Sequence, residues 1–139
     1  MRAIEKINFL LDRFEKIDVR ANNLKRVEQL FRDLKLHEKH GDFTTLFDYS
    51  AMNLAAIGLK HENFGVLQNG KYVQIIAIRQ VNNDSGKKVT KNSSLGYYGK
   101  AEKLDEELKN KIIEFVLRWR YEKTFHQSDY YARLLQELN

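Results

Sequence analysis

The feature that most constrains this chain is the pair Asn69-Gly70, in a sequence without a single proline. With no ring to fix φ, its turns must be made by Gly and Asn. Both central residues of a type I′ turn need φ > 0, which Asn and Gly tolerate best. Apolar runs flank the pair: Phe64-Gly65-Val66-Leu67-Gln68 before it, and Lys71-Tyr72-Val73-Gln74-Ile75-Ile76-Ala77-Ile78 after it. The pattern predicts a central β-hairpin over about 63–68 and 71–81. Its second strand is apolar on both faces at mid-length, which predicts a central strand covered on each side. Asn82-Asn83-Asp84-Ser85-Gly86 reads as the next turn, with Lys87 to Lys91 returning as a short third strand. Residues 92–100 read as a Gly/Ser/Asn-rich loop.

Helical periodicity brackets this hairpin. Ile4, Ile7, Leu11 and Phe14 share one face over about 2–17. Leu24, Val27, Leu30, Phe31 and Leu34 repeat the pattern, with Asn22 or Asn23 as N-cap and Gly41 as the stop. A third helix is expected over 45–57, from the Thr45-x-x-Asp48 capping pattern to Gly58. After the hairpin, Leu104, Leu108, Ile112, Phe115 and Trp119 form a stripe that Ile113 and Val116 widen. Ser128 or Asp129 is placed to cap a last short helix through Tyr131, Leu134, Leu135 and Leu138. The expected fold is therefore α+β over residues 1–139 as one domain. It has three N-terminal helices, a central antiparallel β-hairpin that extends at most to a three-stranded meander, and two C-terminal helices.

The order helix–helix–helix–hairpin resembles that of winged-helix DNA-binding domains. The expected third helix lacks a cation until Lys60 and carries Asp48, so it is poorly suited to phosphate contact. The likeness stays at the level of architecture.

Composition narrows the chemistry. There is no Cys, which removes disulfides and thiolate catalysis. No apolar run approaches the ~20 residues of a membrane span, and the charged N-terminus does not read as a secretory signal. A cytoplasmic protein is expected. Richness in Lys, Asn, Ile and Tyr is what AT-biased coding yields, which suggests a phage, a plasmid or a low-GC bacterium as source. The net charge is +5. Residues 43–96 hold six Lys/Arg against three acids, whereas residues 97–139 hold eight against eight. The surplus therefore lies largely in the middle of the chain.

Three clusters could carry function. Lys87, Lys88, Lys91 and Lys100 join Tyr97 and Tyr98 in the 82–100 segment, where lysines would neutralise phosphates and rings would stack on bases. Gly96-Tyr97-Tyr98-Gly99 matches neither G-x-G-x-x-G nor the P-loop, so no cofactor is implied. His37 and His40 share a helix face and, with His61, are candidate metal ligands. The spacing cannot reproduce the i, i+4 geometry of H-E-x-x-H, and a histidine near a helix C-terminus also serves the macrodipole. The third cluster, Arg118-Trp119-Arg120-Tyr121 with Glu122 and His126, reads as core, because Trp119 continues the buried stripe.

The leading expectation is a non-enzymatic binding module, a protein-binding accessory or inhibitor protein. It should expose an apolar or aromatic patch, and the C-terminal helices are expected to support a homodimer. Nucleic-acid binding through 82–100 is the alternative. A small hydrolase using His37, His40 or His61 is the second alternative.

Overall fold

The fold was analysed in a computed structural model. It describes residues 2–139, and the side chains of all of these except 8–18. Five elements follow in the order α1 (Ala3–Asp33), β1 (Ala51–Ala55), β2 (Tyr72–Asn82), β3 (Lys88–Lys100) and α2 (Glu106–Gln136). The three strands form one antiparallel sheet in the order β1-β2-β3. The chain is α+β and the meander stands, but the helix count differs from expectation at both ends.

The two expected N-terminal helices are one continuous α1. No Gly or Pro interrupts residues 1–40, so nothing stops propagation. Asn23 is not a cap. Its buried amide donates to the Arg118 carbonyl at 3.0 Å and accepts from Arg118 Nη1 at 3.0 Å. The helix ends before Gly41, where Lys35 takes the left-handed conformation at φ +58°. The two expected C-terminal helices are likewise one α2. Asp129 accepts from Arg20 Nη2 at 2.7 Å instead of capping, and the true N-cap is Asp105, bonded to the amides of Glu107 and Leu108.

The expected third helix is absent. Phe43–Asp48 is a 3-10 turn capped by Asp42, and Ala51–Ala55 is strand β1. Tertiary pairing overrides local propensity here, because β2 offers Ala51–Ala55 a full antiparallel partner. With that helix gone, the winged-helix order has no counterpart.

Asn69-Gly70 is a turn, but not the expected hairpin. Only Gly70 has positive φ (+82°), so the turn is not type I′. The 63–68 segment contributes one isolated bridge, Ile57 to Leu67. The real hairpin joins β2 to β3 through the Asn83–Lys87 turn. Asn83 Oδ1 accepts from the backbone amides of Ser85 and Lys87, and Gly86 supplies φ +80°. The expected 92–100 loop is the second half of β3, shifted in register opposite Ile75 and Ile76.

One face of the sheet is the core face. Met52, Val73, Ile75, Ala77 and Leu95 are buried there. In the same core cluster lie Val27, Leu30, Phe31 and Leu34 of α1 and Ile112, Ile113, Phe115, Val116 and Trp119 of α2. Trp119 stacks on Phe47 and donates Nε1–H to the Leu46 carbonyl at 3.1 Å. Arg120 and Lys123 donate to the carbonyls of Met52 and Phe47, so α2 pins the 3-10 turn and the start of β1. The opposite sheet face is open. Gln74, Ile76 and Ile78 are only half-buried, so β2 is central but not covered on both sides. Among the described residues, no helix is long and apolar enough to cross a membrane.

Candidate binding surfaces

The core occupies only one half of each long helix. α1 and α2 run antiparallel, as the pairs Arg26–Glu114, Asn23–Arg118 and Arg20–Asp129 require. At the body end, Glu114 receives a bidentate contact from Arg26 (2.9 Å twice) and a third bond from Arg118 (2.7 Å). These guanidinium bonds, that of Arg26 first, pull its carboxyl down to about 2. Two turns further on, Glu122 is 1% exposed. Its Oε1 lies 3.5 Å from Arg20, and Oε2 has no hydrogen-bond partner. Desolvation there outweighs the attraction of Arg20 and His126, so its pKa is raised.

Beyond Glu122 the helices form an arm whose apolar side chains face solvent. Leu135 is 64% exposed and Leu138 is 82% exposed, with Tyr121, Tyr130, Tyr131 and Leu134 about half exposed. Ile4 and Ile7 of α1 are exposed as well. The side chains of Leu11 and Phe14, expected to face inward, are among those of 8–18 that lie outside the described ones. At 100° per residue, Tyr131, Leu134, Leu135 and Leu138 sit about 150° round α2 from the residues that meet α1. Their stripe therefore points away from α1. The stripe from Leu104 to Trp119 is spent mainly on the core.

The basic Tyr/Lys cluster is divided. Lys87 lies in the β2–β3 turn, Lys88 and Lys91 near the start of β3, and Tyr97 and Lys100 at its far end. Lys88 and Tyr97 are about 30 Å apart along an extended strand. Tyr97 stacks on Tyr72 on the open face, with ring centroids 5.8 Å apart. Tyr98 points the other way. Its hydroxyl donates to the Leu34 carbonyl, and burial pushes its pKa up to about 12. Gly96 lies beneath that ring, where any Cβ would collide with it.

The histidines are also divided. His40 is held by two hydroxyls, Tyr49 at Nδ1 (3.2 Å) and Thr45 at Nε2 (3.0 Å). The Thr45 hydroxyl donates its proton to the Asp42 carbonyl, so it accepts from His40 Nε2–H, and Nδ1 accepts from Tyr49. His37 edges Phe31 and is exposed. His61 lies in the 3-10 turn after β1. Among the described residues, no three His, Asp or Glu side chains gather as a metal site.

A shallow groove of about 480 Å³ at the root of the arm is lined by Ser50, Lys123, Thr124, His126, Gln127 and Tyr130. It is open, and among the described residues no titratable group is hydrogen-bonded to His126. Comparisons with protein-family models, curated proteins and solved structures find no match.

Two surfaces escape a reading by clusters. The distal α2 stripe was hidden because Ser128 and Asp129 look like caps and split the helix. The open face of the β2–β3 hairpin was hidden because its partners come from two strands and lie six to fourteen residues apart in sequence. Reading Glu106–Gln136 as one continuous helix would have revealed the first.

Proposed function

We propose that this chain is a non-enzymatic binding protein that docks to protein through its helical arm, and that the occupant of that arm is the arm of a second copy. The exposed Tyr131, Leu134, Leu135 and Leu138 stripe is the observation that carries the reading. Such a stripe on a charged protein is the signature of a contact surface. Charge supports the choice of occupant. Residues 1–20 and 121–139 together hold seven Lys/Arg and seven Asp/Glu, so two arms meet without net repulsion. An arm without net charge has no electrostatic reason to hold an acidic polymer or an anionic lipid surface.

Sedimentation equilibrium tests this. The wild-type chain is expected to dimerise below about 100 μM. Leu135→Glu with Leu138→Glu should weaken that association at least about a hundredfold, because it buries two carboxylates per arm. Its circular dichroism should match wild type, since neither side chain belongs to the core. A wild-type monomer at about 500 μM would overturn the reading.

A further inference from the structure

The β2–β3 hairpin beyond Ile78 projects past the core, and every residue from Arg79 to Asn92 except Val81 is exposed. Opposed residues in an antiparallel pair project from the same face. Gln80 faces Thr90 and Asn82 faces Lys88, while Asn92 follows Thr90 on the same side, opposite Ile78. One face of the ribbon tip thus presents two amides from β2 and Lys88, Thr90 and Asn92 from β3. All five bear hydrogen-bonding groups, and none is acidic. The reverse face pairs Arg79 with Lys91 and Val81 with Val89. Lys87 sits in the turn, and Asp84 is the one acid between residues 79 and 92.

We propose that this ribbon binds duplex DNA by entering the major groove, with Gln80, Asn82, Lys88, Thr90 and Asn92 toward the base edges and Arg79, Lys87 and Lys91 toward the flanking phosphates. The proposal does not depend on the arm. A B-form major groove is about 12 Å wide and admits a two-stranded ribbon. Asn and Gln can bond adenine N6 and N7 together, Lys bonds guanine O6 and N7, and Thr serves either. The deep, narrow major groove of duplex RNA would exclude the ribbon. Single strands are held by stacking on rings, and no aromatic residue lies between Tyr72 and Tyr97. The tip's apolar side chains are only the paired Val81 and Val89, too little surface to insert into a membrane.

The three target types separate in one experiment. Fluorescence anisotropy would follow the full chain binding a labelled duplex DNA, its single strand and the matching duplex RNA over a salt series. Duplex DNA should bind tightest, with log K falling against log salt at a slope of about −3 for three phosphate-neutralising cations. Lys87→Glu with Lys88→Glu and Lys91→Glu should weaken binding at least about a hundredfold at low salt. These positions are exposed, so circular dichroism should be unchanged. Gln80→Ala with Asn82→Ala and Thr90→Ala should keep the salt slope but lose the ability to enrich a sequence from a randomised duplex pool. A flat salt response, unchanged binding by the Lys triple variant, or tighter binding of single strand or RNA would each overturn the proposal.

Discussion

The arm and the ribbon both project from the same body, and they differ in almost every physical respect. The arm is helical, carries exposed Tyr and Leu, and has no net charge. The ribbon is a hairpin, carries amides, Thr and Lys, and holds four cations against one acid. An apolar stripe gains by leaving water and is nearly indifferent to salt. A cationic ribbon gains by displacing counterions and is strongly salt-dependent. The contrast teaches that +5 is not a property of the whole surface. The surplus sits on the body and its ribbon, and the arm is neutral.

The largest expected effect breaks both surfaces at once. Trp119→Ala removes the stack on Phe47 and the bond to Leu46 and should cost about 3–5 kcal/mol. Chemical denaturation would read it, and arm and ribbon contacts should both fail. Salt should then separate them. Between 50 and 200 mM, DNA affinity should fall about fiftyfold while the dimer constant changes less than about threefold.

Acid sharpens the comparison at the seam from which the arm grows. Glu114 has its pKa depressed, so the stability it supplies is present above its unfolded pKa. That stability is lost as pH falls from about 5 towards 2. Glu114→Gln should therefore cost about 1–2 kcal/mol at pH 7 and nothing near pH 2. Glu122 has its pKa raised, so the sign reverses. The folded state holds its proton more tightly, and stability is lost as pH rises from the unfolded pKa through the raised one. Glu122→Gln should raise stability at pH 7 by about 1 kcal/mol, and the gain should vanish in acid. Thermal melts from pH 3 to 8 would show the two opposite slopes.

The smallest effect is at the ribbon tip. Asn83→Ala removes the acceptor that organises the turn and should cost about 1 kcal/mol or less. It should loosen DNA binding several-fold and leave dimerisation untouched, as anisotropy and sedimentation would report. Equal losses in both would erase the distinction between the two surfaces.

The sequence made the apolar faces legible, and the structure redistributes them. Val27, Leu30, Phe31 and Ile112 to Trp119 are core as their periodicity implies. The Asn82–Gly86 turn is also where its residues place it. The errors share one cause. Asn23 and Asp129 carry the chemistry of caps, yet that chemistry is spent on the other long helix, a contact invisible to local reading. Ala51 to Ala55 have no strong strand preference and take β form because β2 lies beside them. Tyr97 and Tyr98 are adjacent in sequence and so face opposite sides of β3, a parity that appears only once 92–100 is known to be a strand. The arm's stripe follows from an unbroken α2, and two false caps conceal it.

The chain holds a single tryptophan, and Trp119 is 2% exposed at the point where body gives way to arm. Its emission should be blue-shifted and should stay so when two arms part, because Phe47, Leu46 and Lys123 enclose it whether or not a partner is present. It should move to the red only when the body opens. The arm has its own chromophores in Tyr121, Tyr130 and Tyr131, all exposed. Trp119 therefore reads folding without any label, and three of the seven tyrosines are placed to report on the proposed contact between arms.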